Sequence, residues 1–299
     1  MRVDRDFVKN LLRQACSAGA TDVHLKVPGR PAFRITDELV PTAFDRLLPQ
    51  DTFRAAHSLM ELAQVDMPLA RVHETEFALG LTGIGRFRVH LFRQRGSFGI
   101  VIHRIQVEVP TLEKLGVPPG HAEFKRGTGL VLVGGGRRQE LLAGLADARN
   151  ASGPGHLIVI EDRLEFLHKD NRASISQREV GIDTESYLTG LRSATYLDAD
   201  WIALGEVPDQ SVAEAALRVA ESGRCLVLVG VPAGDPSRAV EWFVTRFSAS
   251  REPEVRQRVA EVLAGAVTLN GHEAQRLEVD LAIRQSVRQG APLPGRLAS

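Results

Sequence analysis

GLVLVGGGRRQELLAGL, residues 129–145, joins an apolar run to three glycines and then to a helix-forming segment. The run GLVLV has no polar alternation, which fits a strand covered on both faces. Gly134, Gly135 and Gly136 interrupt it, and LLAGLADARN beyond has helical spacing. Strand, glycine turn and helix in this order are the opening unit of an α/β fold.

Outward from that unit the same alternation continues. HLIVIED, DWIALGE and CLVLVGV are apolar runs, separated by the helical stretches ESYLTGLRSATY and SVAEAALRVAES. A long helical stretch is predicted from about Ser237 to Leu269. Continuous apolar strands between helices predict a parallel sheet with helices on both faces. Upstream the pattern differs. A helix over Asp4–Ala18 carries Phe7, Val8, Leu11, Leu12 and Ala15 on one face, and Gly19 stops it. TDVHLKV alternates as a strand, PAFRITDELV reads as a second strand or hairpin, and LPQDTFRAAHSLMELA, 48–63, as a second helix. ETEFALGL, GRFRVHLFRQ and SFGIVIHRI complete a strand meander. The expected organisation is an α+β domain over 1–105, a linker over 106–120 rich in proline and glycine, and an α/β domain over 121–299.

The 299 residues, 43% hydrophobic, suffice for two cores, and 37 basic residues balance 37 acidic ones. That balance suggests no dominant nucleic-acid role. Cys16 and Cys225 stand far apart in no paired motif, which argues against a disulfide framework or a thiolate zinc site. The histidines show no metal spacing. The charged N-terminus lacks the apolar core of a signal peptide, and a soluble, cytoplasmic protein is expected.

Ligands of parallel α/β sheets bind beyond the carboxyl ends of the strands. Three such ends carry polar groups: Gly134 to Arg138 after GLVLV, Glu161, Asp162 and Glu165 after HLIVI, and Glu206 with Asp209 after DWIALG. A glycine loop for phosphates beside carboxylates for Mg²⁺ and water is the ground plan of a nucleotide triphosphatase. Singly, each reads equally as a turn or a helix cap.

Several longer strings resemble the PilT family, the retraction motors of type IV pili within the secretion ATPase superfamily. ATDVHLKVPGRPAFRITDEL resembles the start of the family's N-terminal PAS-like domain, and GRFRVHLFRQRGSFGIVIHRI its arginine-bearing strands. HLIVIEDRLEFLH and QREVGIDTESYLTGLRSATYLDADWIALGEVPD resemble the acidic box and the Walker B region, and AIRQSVRQG, 282–290, the AIR motif. The resemblance implies a RecA-like ATPase core of the P-loop type behind a PAS-like α+β domain, assembled as a hexameric ring with ATP and Mg²⁺ as ligands. By position, Glu161, Asp162 and Glu165 stand in the acidic box and Glu206 at the catalytic Walker B glutamate. Arg86, Arg88 and Arg95 stand where arginines reach a neighbour's nucleotide. The partners it implies are copies of the chain, an active PilT-type motor, or the pilus platform at the inner membrane.

The chain departs from the family at the loop itself. A P-loop reads G-x-x-x-x-G-K-[ST], its lysine on the β/γ-phosphates and its hydroxyl on Mg²⁺. Here Gly134, Gly135 and Gly136 run directly into Arg137, Arg138, Gln139 and Glu140. The segment is shorter, without lysine, and has no serine or threonine between Thr128 and Ser152. Arg137 or Arg138 could contact phosphate as a two-pronged donor. The family's histidine box is replaced by Val231-Pro232-Ala233-Gly234-Asp235, an arginine position by His103, and the chain is short beyond the AIR motif. His24 is expected in a structural hydrogen bond. Three readings follow: a degenerate pseudo-ATPase serving as structural or regulatory subunit, an ATPase with a non-standard loop, or an interaction module on a retired ATPase fold.

Overall fold

The computed structural model describes every residue except 1, 2, 37, 107, 125, 294–296 and 299. It divides into two units, Met1–Val107 and Glu108–Ser299.

In the first unit, α1 (Arg5–Ser17) starts at Asp4, whose carboxylate accepts the Phe7 N–H at 3.1 Å. Its stripe of Phe7, Val8, Leu11, Leu12 and Ala15 is buried. The strands are β1 (Asp22–Leu25), β2 (Ala32–Ile35), β3 (Glu38–Pro41), β4 (Glu74–Leu81), β5 (Gly85–Gln94) and β6 (Ser97–Ile105), with α2 (Pro49–Leu62) after β3. They form one antiparallel sheet in the order β3-β2-β1-β6-β5-β4. Two three-stranded meanders are thus joined through β1 and β6. Side chains alternate across a strand, so Val23, Val89 and Ile102 enter the core with the helices while Asp22, Arg88 and His103 lie on the other face.

The second unit begins in the segment expected as a linker. Leu115 and Val117 are buried in its core and Leu112 packs against them, because this segment covers one face of the sheet. Its strands are β7 (Gly129–Gly134), β8 (His156–Glu161), β9 (Ser174–Glu179), β10 (Trp201–Leu204), β11 (Leu226–Gly230), β12 (Leu263–Asn270), β13 (Glu273–Glu278) and β14 (Leu297–Ala298). The order is β14-β13-β12-β7-β11-β10-β8-β9, parallel from β12 to β9 and antiparallel at β13 and β14. The helices are α3 (Arg138–Ser152), α4 (Tyr187–Tyr196), α5 (Gln210–Glu221), α6 (Pro236–Val244), α7 (Glu252–Val262) and α8 (Leu281–Gln289). The apolar runs serve both faces. Leu130 and Leu132 of β7 join a core with α4 to α8, and Val131 and Val133 join the one beneath α3. The result is the mixed α/β architecture with a parallel-sheet core that the alternation predicts, in keeping with the RecA-like core that the resemblance implies.

The long helix expected over Ser237–Leu269 is corrected. It is two helices and a strand: α6 ends at Val244, α7 starts at Glu252, and β12 takes Leu263–Asn270. Pairing with β7 on one side and β13 on the other makes β12 a central strand, and that overrides the helix preference of its leucines and alanines. No helix among the described residues is long and apolar enough to cross a membrane.

Candidate functional site

The glycine loop sits between two neighbours of β7. On one side the chain leaves β11 through Val231–Asp235, and on the other β12 ends at Asn270. Both supply hydrogen-bond acceptors to the loop. The Gly135 N–H donates to the Ala233 carbonyl at 2.7 Å, the Gly136 N–H to Asn270 Oδ1 at 3.1 Å, and the Arg137 N–H to the Leu269 carbonyl at 3.2 Å. Asn270 is itself held, its Nδ2 donating to the Gly234 carbonyl at 2.7 Å. Gly135 has φ +99°, and a Cβ there would overlap the Leu269 carbonyl oxygen, so only glycine fits.

Arg137 is turned onto its own chain. Its Nε donates to Glu140 Oε1 at 3.0 Å and Nη2 to Oε2, while Nη1 donates to the Gly271 carbonyl at 2.8 Å. The Glu140 hydrogen bonds raise its pKa further. Arg138 points the other way, with Nη2 3.8 Å from Glu206 Oε2. This ion pair links the ends of β7 and β10 across the intervening β11.

The acidic positions fall where the sequence puts them. Glu161 ends β8 and is buried, Asp162 is exposed beside it, and Glu165 is half-buried farther along. The Asp162 N–H donates to Tyr187 Oη at 2.8 Å. Burial foremost, with Asp162, Glu206 and Glu161 nearby, pushes the Tyr187 phenol up, which keeps it neutral. Asp209 is a helix cap: it accepts the Val212 N–H at 3.0 Å and the Ser211 hydroxyl at 2.6 Å, and these bonds lower its pKa. Tyr187, Asn270 and the Ala233 and Leu269 carbonyls escape sequence reasoning. The Asn270-Gly271 pair is a hairpin signal that marks the turn but not its contact with the loop.

Mg²⁺-ATP does not fit this loop as it stands. Three amides at its mouth are spent on the protein's own acceptors, and the positions of lysine and hydroxyl hold neither. Arginine could replace the lysine's charge but not the metal-ligating hydroxyl.

In the first unit, Arg86 is half-buried on β5 and Arg95 is exposed in the β5–β6 turn. Arg88, on the sheet face away from the helices, is buried, with Nε 2.8 Å from Glu76 Oε1. His103 lies 2.9 Å from Asp22 Oδ1.

Known proteins are similar to this sequence. The type IV pilus ATPase PilU of Pseudomonas aeruginosa is 33% identical over 252 residues, which cover 83% of this chain and 65% of PilU. The type IV pilus retraction ATPase PilT of the same organism is 30% identical over 268 residues, covering 87% of this chain and 76% of PilT. The chain belongs to the PilT family. Its fold also matches a crystal structure of the pilus retraction motor PilT with bound ADP. The TM-score is 0.84 at 31% identity, covering 94% of this chain and 86% of that one. The ATPase DotB of Legionella pneumophila shares the fold at 19% identity, with a TM-score of 0.78. No protein-family model matches the chain.

Proposed function

We propose that this PilT-family chain is a pseudo-ATPase, a structural or regulatory subunit working with an active pilus or secretion motor. One observation carries the reading: the glycine-loop amides of Gly135, Gly136 and Arg137 are bonded to Ala233, Asn270 and Leu269. A phosphate would have to displace all three. It would then meet Glu140 at the start of α3, where a carboxylate suits the helix dipole and repels a triphosphate. Each lost tenfold in rate corresponds to roughly 1.4 kcal/mol, and the absence of lysine, hydroxyl and loop length together exceeds several such steps. On this reading Glu161, Asp162, Glu165 and Glu206 are inherited positions without turnover. The subunit sits on the cytoplasmic side, by resemblance in a ring of six, with its 1–105 region in the role of the family's PAS-like domain.

A second reading rests on the Arg138–Glu206 pair, which brings a cation to the Walker B position: an active ATPase with Arg138 in place of lysine. Steady-state phosphate release from Mg-ATP separates the two. Background turnover, unchanged in Glu206→Gln, is the expected result. Turnover abolished by Glu206→Gln would overturn the pseudo-ATPase reading.

A further inference from the structure

A cleft of about 470 Å³ lies wholly within residues 24–46 of the first unit. Strand alternation points Val23 and Leu25 into the core and leaves His24 on the other face, where β-pairing sets it beside Ala32 and, one strand on, Pro41. Loops at the ends of these strands add cations. Lys26 follows β1, Arg30 precedes β2, and Arg46 is brought in by the Leu47 N–H, which donates to the Gly29 carbonyl at 2.7 Å. Lys26, Arg30, Arg46 and His24 all line the cleft, and among the described residues no carboxylate does. Among the described residues, none of the three permanent cations makes an ion pair or a side-chain hydrogen bond. The nearby carboxylate of Asp22 is engaged by His103, Thr21 and Arg34.

The imidazole is the second observation. His24 Nε2 is buried and, among the described residues, has no hydrogen-bond partner. The structural hydrogen bond expected for it is therefore not found at that nitrogen. Buried polar atoms are nearly always satisfied, so an orphan nitrogen in a cleft marks the place of an external acceptor. Burial also lowers the His24 pKa, with Arg34 and Lys26 acting in the same direction and Asp22 opposing. The walls are not uniformly polar. Leu39, half exposed, and Pro41 form an apolar lip.

Three unpaired cations crowded into one cleft repel one another unless an anion joins them. We propose that this cleft binds a small organic phosphate. Lys26, Arg30 and Arg46 take the phosphate oxygens, His24 Nε2 donates to one of them, and the organic part lies on Leu39 and Pro41. The volume suits a ligand of mononucleotide size. The cleft's lining residues all belong to the first unit and none to the glycine loop, so the proposal does not depend on whether that loop hydrolyses anything.

The test is a calorimetric titration of the full chain with inorganic pyrophosphate and with AMP, without added metal. It is run beside co-sedimentation with phosphatidylcholine vesicles, with and without phosphatidic acid. The triple variant Lys26→Ala, Arg30→Ala, Arg46→Ala is compared with each single substitution. These side chains are exposed, and an unchanged melting curve checks the fold. Saturable binding of a soluble phosphate, weakened at least about tenfold in the triple variant, is the expected result. Binding only to phosphatidic-acid vesicles, lost in the same variant, upholds the site and makes a lipid headgroup the source. No binding in either arm, or binding indifferent to the substitutions, overturns it.

Discussion

At Gly135 the backbone has no alternative. A side chain would have to occupy the space of the Leu269 carbonyl, in a left-handed conformation that L residues avoid. Gly135→Ala should therefore cost about 2–4 kcal/mol of stability, read from the urea midpoint. A cost below about 0.5 kcal/mol would mean that the turn is loose and its amides available. Arg137 and Arg138 are adjacent residues with opposite fates. One closes on Glu140 and Gly271, the other reaches Glu206. The sequence supplies two arginines after three glycines, and nothing in it tells which way each turns, because Gly271 and Glu206 come from segments distant in sequence, 134 residues from Arg137 in the case of Gly271.

Two arginine devices hold the helices of the second unit. Arg284, in the AIR stretch, caps the end of α7: it donates to the Ala260 and Glu261 carbonyls and, at 2.9 Å, to the Leu263 carbonyl. Ile283 beside it is core. The motif's arginine thus stabilises a helix end from within, and Arg284→Ala should lose about 1–3 kcal/mol in chemical denaturation. Loss of function with unchanged stability would place its role outside the fold. Glu214 of α5 accepts from Arg258 and Arg251, on or beside α7, and from Arg218 on its own helix. These bonds, Arg258 first, hold its carboxyl at about 2 against an ordinary 4.5. A depressed carboxylate pKa stabilises the fold above the ordinary value, and the effect fades as pH falls from 4.5 through 2. It is worth at most about 3 kcal/mol. Glu214→Gln should melt below the parent at pH 7 and converge with it near pH 2, and parallel curves would sink the assignment. Legibility differs among the strands. β4, β5 and β6 were readable from alternation, with bounds that the structure repeats. β9 was not, since SISQRE at a sheet edge has little apolar signal, and β12 was not, since its neighbours rather than its composition make it a strand.

At the scale of the whole molecule, each unit owns a core: residues 3–102 form one cluster, and the sheet faces of the second unit form the other two. On the pseudo-ATPase reading proposed above, the chain could still lend side chains to a neighbour. Arg86, unlike the buried Arg88, is open enough for that task. In a reconstituted mixed assembly with an active PilT-type ATPase, Arg86→Ala in this chain should lower turnover several-fold. Turnover identical to the unmodified mixture would remove that contribution. The strand-end acids were legible because a parallel sheet gathers its carboxyl ends. The occupancy of the loop amides was not, because it depends on where β11 and β12 finish.

That occupancy also sets how many changes a phosphate site here would require. Reintroducing a lysine, or a hydroxyl, or both, leaves Ala233, Asn270 and Leu269 still seated on the three amides. Freeing them calls for a longer loop and for retreat of two other segments at once, and no intermediate with only one of those changes gains a phosphate site. A phosphate site at this loop therefore lies beyond the reach of point substitution: it takes an insertion together with movement of two other segments.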